Sequence, residues 1–322
     1  MKVAFGSSLL LLASLVPFAA TVHAEFPEKP LRLVVPFPPG GGTEPLARIW
    51  SQKIAEVFGY QVIVDNRPGA GTTIGAEIVA KSPPDGYTIL LGSIANAISA
   101  VLYTKLNYDL ARDLAPITLL ATTPSVLVVH PTLPVKSARE LVALAKARPG
   151  QVQYGNGATG SGGNLAAELL KYMTKTDIVG IPYKGNAPAL TALMGGHVSM
   201  MFDTLNTSLP FVQAKRLKAL AVTTAQRAPQ VPEYPTMIES GLPNFEVTAW
   251  YMLFAPKKTP RDIVLKLNAD LNKSFTDPEL IKRMLAQGVT LTGGTPEQAE
   301  AHVQAETKRW GPLIKAAGMK GE

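Results

Sequence analysis

The 322-residue chain contains no cysteine, which excludes disulfides and thiolate chemistry. Histidine is nearly as scarce, with four residues. One lies in the N-terminal segment, and His130, His197 and His302 have no metal-ligand spacing. His130 precedes a proline at a strand end and His302 lies on the terminal helix, so each reads as a surface or hydrogen-bonded histidine. The formal net charge is +7, yet no run of five or six basic residues occurs, so a nucleic-acid footprint is not indicated. The mild positive field favours acidic small molecules, but only weakly. Beyond the N-terminal segment no stretch is long and apolar enough to span a membrane. No Gly-Lys-Ser/Thr follows the loop "PFPPGGGT", so it is not a phosphate loop of the nucleotide-hydrolase kind. No serine sits in G-x-S-x-G, and no repeat of solenoid period is visible.

What is present begins with a targeting signal. Lys2 supplies a positive start and "VAFGSSLLLLASLVPFAA" an apolar core, and "VHA" ends in a small residue at position 24. An uncleaved anchor is the alternative, but Gly6, Ser7, Ser8, Ser14 and Pro17 interrupt a run that barely reaches spanning length. The expectation is export with cleavage between Ala24 and Glu25. The remaining length suggests two domains, and 46% hydrophobic residues mark a globular chain. A chain of this size can rely on its cores without disulfides.

Strand-like and helix-like segments alternate. "LRLVVPF", "YQVIVDN" and "YTILLGS" read as strands, with helices between them. In the first helix Leu46, Ile49, Trp50, Ile54, Val57 and Phe58 recur at helical spacing, Thr43 is the candidate cap and Gly59 the stop. A second such set follows, from "PSVLVVHP" to "LKALAVTT". Capping boxes are expected at Ser137 with Glu140 and at Thr295 with Gln298. Short connections between these elements imply parallel α/β units. Two strand-like segments, "APITLLATTPSVLVV" and "FEVTAWYMLFAP", are longer than a typical strand. They are read as two crossings between domains. This makes 25–123 plus 249–322 a discontinuous first lobe, 124–248 a second lobe, and 1–24 the signal peptide.

"GNGATG" matches G-x-G-x-x-G, and Asp177 follows about twenty residues on. A dinucleotide site is disfavoured because Asp177 opens its strand instead of closing one, and because the loop runs on into "SGG". No cofactor is expected. The loops after the strands are "PFPPGGGT", "GAGTT", "GSIAN", "GNGATGSGG", "YKGNAP" and "FDTLNTS". Any one of them is explained by turn and cap chemistry. Six, three per lobe, favour a cleft with a polar and largely uncharged lining, since Lys184 is their only cation. An anion there would meet backbone N–H groups and helix N-termini, which suits a carboxylate better than a phosphate. Arg48 is expected to face solvent or pair with an acid, and Glu44 to turn away from the cleft or bind water.

The segments "PFPPGGGTEPLAR", "VDNRPGAGTTIGAEIVAKSPPDGYTIL", "YGNGATGSGGNLAAELL", "VGIPYKGNAPALTALMGGHVSMMFD" and "FEVTAWYMLFAP" together resemble the Bug-type receptors, periplasmic substrate-binding proteins of tripartite tricarboxylate transporters. The resemblance covers the whole chain. It implies a type II periplasmic-binding-protein fold: two α/β lobes on a two-strand hinge with the ligand cleft between them. It also implies a small organic carboxylate ligand, delivery to a permease of a large and a small subunit, and no enzymatic activity. The matching site residues are Phe37, Gly41, Gly42, Thr43, Thr72, Thr73, Ser93 and Ala95 in the first lobe. In the second they are Gly157, Thr159, Ser161, Asn164, Tyr183, Lys184, Ala187 and Asp203. Ordered waters bridging to a ligand carboxylate are also implied. Glu44 stands where Asp is usual, and "GTTIGA" and "GATGSGG" depart from the family pattern at the cleft walls, which leaves the acid's identity open. A monomer is expected. A receptor that signals to a sensor domain is the alternative reading, and an α/β enzyme is a third that the shortage of His, Cys and clustered acids disfavours.

Overall fold

The computed structural model describes residues 26–40 and 42–321. The expected signal peptide, its cleavage point and Gly41 lie outside the described residues. The first run of elements is β1 (Leu31–Val35), α1 (Thr43–Phe58), β2 (Val62–Asn66), α2 (Thr73–Ala80), β3 (Thr88–Ser93), α3 (Ile94–Leu102) and α4 (Leu110–Asp113). A 16-residue strand, β4 (Leu114–Val129), leads out of it. The second run is α5 (Ala138–Ala147), β5 (Gln153–Asn156), α6 (Gly162–Thr174), β6 (Val179–Pro182), α7 (Asn186–Met194), β7 (Met200–Thr204), α8 (Leu205–Gln213) and β8 (Lys218–Val222). The chain returns through β9 (Thr248–Pro256) and ends in α9 (Arg261–Ser274), α10 (Pro278–Ala286), β10 (Thr290–Leu291) and α11 (Pro296–Ala316).

β1 lies between β2 and β3, all parallel, and β5 lies parallel to β6 and β7. The two parallel units are joined through antiparallel β4 and β9. β9 pairs with β3 and with β4 from Leu114 to Pro124. From Ser125 to Val129 β4 pairs instead with β7, and it pairs with β8 from Val126. One long strand thus changes partners midway, and this unites the two halves in one sheet path. The result is the two-lobed type II arrangement that the resemblance implies.

Period-two alternation sends neighbouring side chains of one strand into different cores. Leu31, Leu33 and Val35 of β1 enter a first-lobe core with Trp50, Ile54, Leu267 and Met284, while Val34 faces the other way. Val126 and Val128 of β4 enter a second-lobe core with Leu190, Leu193 and Leu205. Leu127 and Val129 face a third core that runs through both lobes and includes Leu90, Trp250, Met252, Leu165, Phe202 and Trp310. The crossing strands are therefore backed on one face by packing common to both lobes. α11 is pinned there by Glu306, which accepts hydrogen bonds from the indoles of Trp250 at 3.0 Å and Trp310 at 3.2 Å.

Local signals behave as their chemistry dictates at several helix ends. Gly59 closes α1 with φ +76°, a conformation that costs glycine little. Thr295 and Gln298 form the expected box. Ser137 caps α5, but Glu140 reaches the N–H of Lys136, one residue before the cap, so that box is half formed. Thr43 is not the cap of α1. It is the first helical residue, and Gly42 precedes it with no capping side chain.

Candidate functional site

The loops after the strands meet in a cleft of two adjoining chambers. The outer one, about 680 Å³, is framed by Phe37, 69–72 and Tyr103 from one lobe and by 156–159 and 183–185 from the other. The inner one, about 70 Å³, is bounded by Gly42, Thr43, Ser93 and Tyr251 on one side and Gly157, Asn186 and Thr204 on the other. Phe37, Pro38, Gly157, Ala158 and Gly185 border both. Among the described lining residues Lys184 is the one charged side chain.

Six helices start at this cleft, and their first N–H groups divide into two kinds. α3 is capped by Ser93, which accepts from Ala95, and by Asn96, which accepts from Ser93. α6 is capped by Ser161, which accepts from Asn164. α1, α2, α7 and α8 have no capping side chain and follow Gly42, Thr72, Gly185 and Thr204, all of which line a chamber. Uncapped first turns present N–H donors and the positive end of the helix dipole. Such an arrangement can hold an anion without a guanidinium.

Lobe-to-lobe contact closes over the inner chamber. Asn206 at the start of α8 donates to the Gly42 carbonyl at 3.2 Å. A Cβ at Gly42 would stand 2.8 Å from Thr204 Oγ1, and one at Gly185 would stand 2.7 Å from Pro38, so neither position has room for a side chain. The Tyr251 hydroxyl is hydrogen-bonded to Thr43, and burial pushes its pKa up. Glu44 accepts the Gly40 N–H at 2.7 Å and pairs with Arg48 at 2.6 Å, which together hold its carboxyl below the usual range. Both side chains are thereby committed to each other, as their charges lead one to expect.

Strain marks the start of α2. Ala70, Gly71 and Thr72 have φ of +43°, +55° and +85°. A β-branched residue in that region is a true outlier. Thr72 is only 2% exposed, and among the described residues its hydroxyl has no partner.

Of the residues expected from the sequence, Phe37, Gly42, Thr43, Thr72, Ser93, Gly157, Thr159, Tyr183 and Lys184 border a chamber. The others do not. Thr73 donates to the Ala70 carbonyl, and Ala95 is buried at the start of α3. Ser161 caps α6, and Asn164 accepts from Gly160 and donates to Tyr154. Ala187 lines a separate side groove with Gly40 and Phe211. Asp203, 1% exposed, lies behind the inner wall and accepts from Asn186 and Thr207. Its pKa is pushed up to about 6 by burial, against the pull of the Thr207, Thr204 and Asn186 hydrogen bonds. Sequence reasoning missed Tyr103, Asn186, Thr204, Asn206, Trp250 and Tyr251. The adjacent rings of Trp250 and Tyr251 in "TAWYMLF" were the available signal for the last pair, since bulky rings at a strand crossing must sit near the cleft floor.

The model of the tripartite tricarboxylate transporter family receptor matches residues 46–319. The protein BugT of Bordetella pertussis is 36% identical over 94% of both chains. Among solved structures, that of R. palustris Rpa4515 with adipate is 38% identical, with TM-score 0.89 over 92% of this chain and 99% of its own. MatC from Rhodopseudomonas palustris with bound malate is 32% identical, with TM-score 0.85 over 90% of this chain and 100% of its own. A match of this extent in sequence, together with a two-lobed cleft floored by crossing strands, places the chain in the Bug-type family of tripartite tricarboxylate transporter receptors, which are periplasmic solute-binding proteins.

Proposed function

We propose that this receptor captures a small organic carboxylate in the periplasm and delivers it to the membrane permease of a tripartite tricarboxylate transporter. The observation that carries the reading is the set of four uncapped helix N-termini around a cleft with a single cation. A carboxylate satisfies such donors with modest charge compensation, whereas a phosphate commonly recruits Arg or Lys. The adipate and malate of the two similar structures agree with this chemistry. In this reading Gly42, Thr43, Ser93 and Gly157 face the acid's head, and Phe37, Thr72, Thr159, Tyr183 and Lys184 face its body. Thr73, Ala95, Ser161, Asn164 and Asp203 hold the walls. Ala187 belongs to a loop that meets the other lobe on closure, and Gly41 is assigned to the site by the resemblance alone.

The lobes divide where β4 changes partners, near 123–124, and where β9 begins, near 248–249. The mature chain begins at Glu25 and acts as a monomer. It binds its ligand without converting it and uses no cofactor. Mass spectrometry of small molecules carried through purification, followed by a thermal-shift screen of organic acids, tests the reading. At about 100 times its dissociation constant the true ligand adds roughly 2.7 kcal/mol of stability. A screen in which neutral solutes stabilise the protein and acids do not would sink the proposal.

A further inference from the structure

Asp203 ends up behind the cleft wall, and what it does there is visible in its partner. Its carboxylate accepts the Asn186 side-chain N–H at 2.9 Å, the Thr207 hydroxyl and the Thr204 backbone N–H. An ionised carboxylate can only accept, so it fixes the orientation of an amide that is otherwise ambiguous. The Asn186 nitrogen points to Asp203 and Oδ1 points away. Oδ1 lies against the Gly157 loop, where a Cβ would stand only 2.1 Å from it. Asn186 borders both the inner chamber and the side groove, and the Gly157 loop against which Oδ1 lies borders the two chambers and not the groove, which puts Oδ1 on the chamber side. Among the described residues no donor is hydrogen-bonded to it.

The other side-chain hydroxyls of the inner chamber are engaged. Thr43 and Tyr251 bond to each other, and Ser93 accepts from Ala95. What faces a guest is a set of N–H donors at the starts of α1, α7 and α8, with the Asn186 Oδ1 acceptor on the chamber wall and a second acceptor, the buried Asn206 Oδ1, close to Gly42 and without a partner among the described residues. We propose that Asn186, held by Asp203, is a specificity-determining acceptor that makes the receptor prefer acids with a 2-hydroxy or 2-ammonio group over the same acids without one. The inference rests on the carboxylate reading above. A chamber of about 70 Å³ has room for a carboxylate and the neighbouring carbon with one substituent, which places that substituent at the acceptor. A plain acid presents a methylene there and leaves a desolvated acceptor unpaired. Sites built to pair a substrate hydroxyl or amine discriminate against the analogue lacking it for this reason. The buried carboxylate behind Asn186 has no cation among its hydrogen-bond partners, so an ammonium gains more than a hydroxyl.

The test is titration calorimetry at pH 8, where Asp203 is ionised, on two matched sets: succinate, malate and aspartate, and adipate, 2-hydroxyadipate and 2-aminoadipate. Within a set that binds, the substituted acids are expected to bind roughly tenfold tighter or better than the plain one. In Asn186→Ala the ratio falls toward one, and in Asp203→Asn it falls because the amide is no longer oriented. Melting curves establish folding of both variants. Asn186 is half-buried on a helix start, so Asn186→Ala carries the test if Asp203→Asn does not fold. Equal affinity within a set, or a ratio that survives Asn186→Ala, overturns this inference alone. If no acid of either set binds while neutral solutes do, the carboxylate reading falls and this inference falls with it.

Discussion

The inner and outer chambers adjoin, yet they are built from different materials. The inner one exists because backbones approach closely: Gly42 and Gly185 each stand where a Cβ would collide with the opposite wall, and Gly157 where one would collide with Asn186 beside it. Its Thr43 and Tyr251 hydroxyls are tied to each other, and the lobes touch across it through Asn206 and Gly42. The outer one is nearly ten times larger and is walled by Phe37, Tyr103, Tyr183 and the prolines Pro36, Pro38, Pro68 and Pro182, with Lys184 its one cation. Rings and prolines lose little conformational entropy when a ligand packs on them. The contrast suggests a division of labour under the proposed function. The close backbone approach grips the carboxylate head, and the stiff, roomier walls accommodate the body.

The sharpest way to break this comparison is Gly42→Val. Gly42 has an ordinary helical φ of −60°, so the substitution adds no backbone strain and acts only through bulk. Its Cβ would stand 2.8 Å from Thr204 Oγ1 and 3.1 Å from Asn206 Oδ1. Ligand affinity measured by calorimetry should fall by more than about a hundredfold, the equivalent of about 2.7 kcal/mol, while the melting temperature stays close to the parent's. Binding within a few-fold of the parent would mean that the lobes need not meet over the inner chamber.

Next in size is the effect of pH on the wall behind that chamber. The Asp203 pKa lies at about 6 in the folded protein, against an ordinary value of 3.8. The folded state therefore holds this proton more tightly than the unfolded chain does. The stability it contributes is fully present below about pH 3.8 and is lost as pH rises through about 6, amounting to about 3 kcal/mol. Denaturant titrations from pH 4 to 8 should show the parent losing stability relative to Asp203→Asn across this window. A difference that does not change with pH would show that Asp203 titrates alike in the folded and unfolded states.

A smaller effect sharpens the outer chamber. Thr72→Gly relieves the strain of a β-branched residue at φ +85° and removes the buried hydroxyl. The two consequences have opposite signs. Release of strain should stabilise the protein by about 1 kcal/mol, or about 3 °C in melting temperature. Loss of the hydroxyl should weaken ligand binding by roughly tenfold. Stability and affinity that move together would refute the view that strain is held at this position for binding.

Much of the architecture was legible because it is written in local patterns. The β1–α1 unit, the Gly59 stop, the Thr295–Gln298 box and the two long crossing strands all follow from periodicity, cap chemistry and length. The strand-end loops were legible as a set because glycine and hydroxyl residues cluster there. What the sequence hid depends on approach through space. Thr43 has the chemistry of a cap, but the turn through Gly42 places it one residue inside the helix, where its hydroxyl meets Tyr251. Nothing in "GAGTT" distinguishes Thr72, strained and lining the chamber, from Thr73, which only braces the turn. Asp203 was expected at the site through the family resemblance. Only the fold shows that its oxygens are already taken by Asn186, Thr207 and Thr204.

The smallest expected effect separates charge from backbone as the source of grip. Arg48 is the first cation after the glycine loop, and it lies over a turn inside α1. Its side chain is 64% exposed and pairs with Glu44 at 2.6 Å, while Glu44 also takes the Gly40 N–H. An exposed helix pair of this spacing is worth about 0.3–0.5 kcal/mol. Arg48→Gln keeps a donor for Glu44 and changes no group that borders either chamber. Affinity should stay within about threefold of the parent, and the melting temperature within about 1 °C. Lys184→Gln is the matching change inside the outer chamber, and its larger loss should shrink as salt is raised, because a solvent-exposed cation is screened. If Arg48→Gln instead abolished binding while Gly42→Val did not, the acid would be held by a charge pair. The inner chamber would then be a packing feature of the closed lobes and not the seat of the carboxylate.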